Sequence, residues 1–307
     1  MPLRLGDVAE AAATVKWDEP LLKALEVMVG RGGEGPYRVV VLAPHNVIRG
    51  IITGRVMLEV LAGWRASALR LKVNLRGLLE EPVHVFANEV YNALPHWLGL
   101  APAIGYMLEN RLGYVLVVGE HIRLIGIVEE KTLLPYLVGR KYGTAVKEVM
   151  KRNLSIVSPE EPLRNALAKM VTHMRRRLPV VQGREVKGIV TTTDILSAII
   201  NNIDNLNEAL NLSVREVMES NVTHIAPDDD LGVAIEKLVE EDVSSVLVLR
   251  NGHVEGIITR LDALLAVARL LGVRRVASII EASPVKSVRV LKLPSSSGKM
   301  LKNNKAH

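Results

Sequence analysis

Few side chains in this sequence are arranged for covalent chemistry. There is no cysteine, so thiolate nucleophiles, thiolate metal sites and disulfides are excluded. The eight histidines show no His-x-x-His spacing, and no metal site is expected. No Gly-x-Ser-x-Gly elbow, Walker loop or Rossmann glycine fingerprint occurs, so nothing supports an enzyme and no catalytic residue is assigned. Gly30, Gly32, Gly33 and Gly35 lack the Lys-Ser/Thr ending of a phosphate loop and read as a flexible approach to a hairpin. What remains are groups that hold rather than transform: Thr191 three residues before Asp194, Thr259 three residues before Asp262, and the run Arg175-Arg176-Arg177. Each also has an ordinary structural use. Aspartate caps helices, threonine favours strands, and arginines complement the dipole at a helix end.

The elements that must position these groups come from an internal repeat. Shifted by 68 positions, Val146, Glu148, Val149, Met150 and Asn153 fall on Val214, Glu216, Val217, Met218 and Asn221. Without a gap, Pro159 falls on Pro227, Leu163 on Leu231, Gly188-Ile189 on Gly256-Ile257, Thr191 on Thr259 and Asp194 on Asp262. Each copy reads as a short strand (154–157, 222–226), a turn whose carboxylates suit a helix start, and a helix with apolar residues at spacings of three and four. Two strands joined by a tight turn follow, around Gly183 in one copy and Asn251-Gly252 in the other, and a second helix (195–201, 263–271) closes the unit. The first half carries the plan less faithfully: residues 14–28 align with 156–170, with Glu19-Pro20-Leu21 on Glu161-Pro162-Leu163. A second early copy runs from about Leu75 to Gly126-Ile127-Val128, with extra length expected near 95–110. A three-stranded unit with two helices leaves apolar faces uncovered, so neighbouring units should pair.

A β-α-β-β-α unit ending in Gly-hydrophobic-hydrophobic-Thr-x-x-Asp resembles the cystathionine-β-synthase (CBS) domain. Gly188-Ile189-Val190-Thr191-Thr192-Thr193-Asp194, Gly256-Ile257-Ile258-Thr259-Arg260-Leu261-Asp262 and Leu178-Pro179-Val180-Val181 carry the likeness, which covers roughly residues 1–272. It implies an α+β fold of four CBS repeats, at 1–70, 71–140 (degenerate, with an insertion), 141–207 and 208–272, paired into two modules of small mixed sheets packed on helices. Residues 273–307 would be a partly disordered extension. It also implies a non-catalytic regulatory sensor that binds AMP, ADP, ATP or S-adenosylmethionine between repeats three and four, with no other cofactor required. In that scheme Asp194 and Asp262 accept hydrogen bonds from ribose hydroxyls. Thr191, Thr193, Thr259 and Arg177 meet phosphate, because hydroxyls and helix-start N–H groups suit anions. Asp262 and Thr259 would serve an adenine held near Ser155, Ile156, Leu178 and Pro179. Asp194, Thr191 and Thr193 would serve one near Thr223, Ile225 and Val246.

The first half departs from the motif. Val56 and Thr132 stand at the Asp position, and Glu129 stands where Thr belongs, so phosphate would be repelled and a ligand-poor scaffold is expected. Composition sets the remaining bounds. The 307 residues are 49% hydrophobic with mean hydropathy +0.21, yet no apolar run approaches the ~20 residues of a membrane span. Residues 1–10 lack a secretory pattern, and with zero cysteines a cytoplasmic protein is expected. A net charge of +6 admits nucleic acid as a partner without favouring it, since aromatics are only 3% and no helix-turn-helix or zinc-finger signature appears. The rival readings are a transcription-linked CBS protein and a ligand-independent interaction module. The expected partners are a second copy of the chain and a separately encoded enzyme or transporter.

Overall fold

The computed structural model describes residues 2–30, 35–65 and 74–283. Three sheets have three strands each: β1 (Thr14–Lys16), β2 (Arg38–Ala43) and β3 (Val47–Thr53); β4 (Ala93–Pro95), β5 (Tyr114–Val118) and β6 (Leu124–Glu129); β9 (His224–Ile225), β10 (Ser245–Arg250) and β11 (His253–Thr259). In each the first strand pairs parallel to the second, and the last two form an antiparallel hairpin. The fourth sheet keeps only the hairpin β7 (Arg177–Gln182) and β8 (Glu185–Thr191). The strand expected at 154–157 shrinks to one parallel bridge, Val157 to Val180, and that expected at 222–226 shortens to His224–Ile225. Both segments are clamped between a lead-in and a turn, which leaves little length for a ladder.

The first helix of each unit starts at a leucine: Leu21–Val29, Leu100–Asn110, Leu163–Thr172 and Leu231–Glu240. Leu163, Ala166, Leu167 and Met170 form one buried stripe at helical spacing. Residues 95–110 are therefore no insertion, because 100–110 is the unit's own first helix. The closing helices, Thr192–Asn201 and Arg260–Leu271, begin three residues earlier than expected, on the Thr-x-x-Asp motif itself. In the hairpin turns Gly183 has φ +62°, while Asn251 and Gly252 have φ 51° and 80°, the left-handed pair that a tight two-residue turn needs. A helix spans Val273–Ala282, within the expected extension, and the expectations for 284–307 lie outside the described residues.

The units pair in two ways. Edge to edge, each unit's lead-in bridges its partner's last strand: Glu10 to Ile127, Asn88 to Ile51, Lys151 to Ile257 and Glu219 to Ile189. This joins the first unit to the second and the third to the fourth. Val40, Leu116 and Ile127 seal the first of these joints. Helix to helix, one core holds Leu25, Met57, Met170 and Ile199, from units one and three. A second core holds Ile104, Leu137, Leu238 and Val267, from units two and four. The four units thus close a ring in the spatial order one, two, four, three.

Candidate functional site

In both complete motifs threonine is the N-cap and aspartate the third helical residue, a reciprocal capping box. The Thr191 N–H and hydroxyl donate to Asp194 Oδ2 at 2.7 and 2.8 Å, and Thr191 Oγ1 accepts the Asp194 N–H at 3.4 Å. Thr259 and Asp262 repeat the arrangement at 3.1, 2.6 and 3.2 Å. The capping role is therefore realised, but with threonine rather than aspartate as the cap. It uses only Oδ2, so each carboxylate keeps Oδ1 for another partner. Asp262 Oδ1 meets Lys151 Nζ at 2.8 Å. Burial pushes the Asp194 carboxyl up; the Thr191 hydrogen bonds oppose this and nearby Glu219 adds to it.

Between units three and four lies a cleft of about 100 Å³. Of the residues singled out in the sequence, Ser155, Arg177, Pro179 and Thr259 line it, with Asp262 held at its edge by Lys151. Ser155 Oγ is 2.7 Å from His173 Nδ1. Ile156 is 47% exposed and its carbonyl accepts from Lys169 Nζ at 3.0 Å, so its side chain faces outward. Leu178, Ile225 and Val246 are buried in the two cores. The side chains of these three pack inward and are not exposed to the cleft. Thr223 donates its hydroxyl to Glu241. Thr193 is half-buried on the first turn of Thr192–Asn201.

Arg177 starts β7, opposite Thr191, and its Nε donates to Ser244 Oγ at 2.9 Å. Burial, then the neighbouring Arg176 charge, brings its guanidinium down to about 9. The arginine run does not cap a helix, because Leu163–Thr172 has already ended. Sequence reasoning missed Lys151 and Asn153, which also line the cleft; the 68-residue register matched Asn153 to Asn221 but gave no sign of Lys151.

The corresponding position in the first half is filled by the chain itself. Arg38, aligned with Arg177 at the start of a central strand, forms a short ion pair with Glu129 and stacks 4.4 Å from the Tyr114 ring centroid. Burial would lower Arg38, but Glu130 and Glu129 outweigh it and hold its pKa above the usual value. Burial likewise opposes the Glu129 charge, yet Arg38 and Lys131 bring Glu129 below the usual carboxylate range. The capping box is also inverted: the Glu129 N–H donates to Thr132 Oγ1 at 3.3 Å. A guanidinium that would meet an anionic ligand already has an internal carboxylate.

Residues 146–201 and 214–269 match the family model of the CBS domain. A 33.4 kDa protein in the ribosomal RNA operon of Thermofilum pendens is 26% identical over 262 residues, 82% of this chain and 87% of that one. Protein MJ1225 of Methanocaldococcus jannaschii is 27% identical over 256 residues, 79% of this chain and 90% of its own length. The crystal structure of MJ1225, proposed as an archaeal homolog of g-AMPK, superposes with a TM-score of 0.76 at 24% identity, covering 85% of this chain and 99% of that one. That likeness bears on the fold and confirms small mixed sheets packed on helices. Among the described residues no helix is long and apolar enough to cross a membrane, and no cluster of three or more His, Asp or Glu could hold a metal ion.

Proposed function

We propose that all four units are CBS repeats and that the chain is a non-catalytic regulatory protein binding an adenosine-containing ligand between units three and four. The observation that carries this reading is the cleft where Ser155, Pro179, Arg177 and Thr259 converge beside Asp262. The carboxylate would accept the ribose hydroxyls through Oδ1, and Thr259 with Arg177 would face phosphate. The description of MJ1225 as a g-AMPK homolog agrees with a regulatory role. A ribose on Asp262 Oδ1 would take the place that Lys151 holds at 2.8 Å. The second half binds and the first half serves as scaffold, because Glu129 already neutralises Arg38.

Isothermal titration of the full chain with AMP, ADP, ATP and S-adenosylmethionine tests the proposal. Saturable binding that Asp262→Ala weakens supports it. Silence from all four ligands overturns it. The same reading includes a homodimer, which sedimentation equilibrium would register as twice the 33.7 kDa chain mass.

A further inference from the structure

The cleft beside Asp262 has a counterpart position beside Asp194 under the 68-residue register, since Lys151 bridges Ile257 as Glu219 bridges Ile189. Position by position, the charges do not correspond. Lys151, Met174, Arg175, Arg176 and Arg177 line the cleft beside Asp262. Their register equivalents beside Asp194 are Glu219, Asp242, Val243, Ser244 and Ser245. The four cations are replaced by one carboxylate, one apolar side chain and two hydroxyls, and Met174 by a second carboxylate.

Among the described residues Arg175, Arg176 and Arg177 have no carboxylate within ion-pair distance, although the Glu130 charge acts on Arg177. Arg175 donates to the Asn153 carbonyl at 2.9 Å, while its Nε is buried with no hydrogen-bond partner. Arg176 lies over the Tyr37 ring at 4.7 Å. Arg177 donates to a neutral hydroxyl, and its depressed pKa reflects a cation that burial and Arg176 disfavour. Clustered, desolvated guanidiniums of this kind are stabilised by a multiply charged anion. At the position beside Asp194, Arg177 reaches Ser244 and Arg260 is already paired with Asp242 at 2.6 Å. Glu219 accepts the Asn221 N–H and, among the described residues, has no cation within ion-pair distance. An incoming phosphate would meet that carboxylate without compensation.

Resting on the adenosine-ligand reading above, we infer that the two positions are electrostatically opposed: the Asp262 cleft takes a phosphorylated nucleoside, and the Asp194 position admits only a nucleoside without phosphate. The pair therefore holds one nucleotide, not two. Phosphate should tighten binding to the Asp262 cleft on the order of a hundredfold over adenosine, since each charge-assisted hydrogen bond supplies a factor of about ten or more.

The test is calorimetric titration of the full chain with AMP and, separately, adenosine, with thermal melts to confirm folding. One AMP per chain is expected, abolished by Asp262→Asn. The double variant Arg176→Ser, Arg177→Ser, which installs the residues of the opposite position, should bind AMP no better than adenosine. Glu219→Lys should add a second AMP. Two AMP per chain in the unmodified protein overturn the inference and leave the sensor reading standing, as does a single AMP that survives Asp262→Asn. If neither AMP nor adenosine binds, the sensor reading falls first and this inference with it.

Discussion

At the residue scale, two buried carboxylates report opposite environments. Asp194 has a raised pKa because burial outweighs its Thr191 hydrogen bonds, so its charged form is disfavoured in the fold. A folded-state pKa above the unfolded value means that charging costs stability at neutral pH, and the cost is relieved as pH falls through the raised value. Asp194→Asn should therefore raise the thermal midpoint at pH 7, with the difference closing under acid. Glu129 is the reverse: its pKa is lowered by Arg38, so its stabilisation is complete above the ordinary glutamate pKa and is lost as pH falls through the folded value. Glu129→Gln should cost about 1–2 kcal/mol at pH 7, because it leaves the nearly buried Arg38 with Glu130 alone, at 3.9 Å. Urea unfolding of both variants across pH 3–7 checks the two signs. Thr191, Asp194, Thr259 and Asp262 were legible as motifs from spacing alone. Lys151 and Glu219 were not, because nothing local to them announces a partner more than twenty residues away.

At the element scale, the glycine of the repeat motif has a steric reason. A Cβ on Gly188 would lie 2.6 Å from the Glu219 carbonyl, and one on Gly256 would meet Met150 Sδ at 2.4 Å and the Lys151 carbonyl at 3.0 Å. Gly50 and Gly126 meet Asn88 and Glu10 carbonyls in the same way, at 2.9 and 2.5 Å. The bare Cα lets each lead-in dock against its partner's last strand, so the glycine marks the edge-to-edge joint. Gly188→Ala should destabilise by roughly 1–3 kcal/mol through overpacking and uncouple the Ile189–Glu219 bridge, which amide exchange at both residues would detect. The sequence showed the glycines recurring in register, and the helices from their apolar spacing. It overstated the first strands of units three and four, because β-branched runs satisfy strand propensity whether or not a neighbour lies alongside.

At the scale of the whole molecule, the pairing of units is set by helices as much as by sheets. The core of Leu25, Met57, Met170 and Ile199 spans units one and three, and that of Ile104, Leu137, Leu238 and Val267 spans two and four. Cutting the chain between 140 and 141 would strip half of both cores at once. The second half alone should melt at least ~10 °C below the full chain or self-associate through the exposed helix faces. Calorimetry and light scattering on the separated halves distinguish these outcomes from independent folding. Such a result would also explain why a first half without the Thr-x-x-Asp chemistry is retained: it covers the helices of the half that has it.

The amino-acid sequence by itself determined the repeat, its element order, the Thr-x-x-Asp spacing and the loss of the motif in the first half. These follow from local spacing and from residue types that act within a few positions of one another. Only the tertiary structure decided that the units close a ring, that Arg38 is neutralised by Glu129, and that Lys151 and the three arginines gather in one cleft beside Asp262. Those properties arise where side chains distant in sequence share a low-dielectric space, and there the sign of each neighbour, rather than its own motif, fixes what a site can hold.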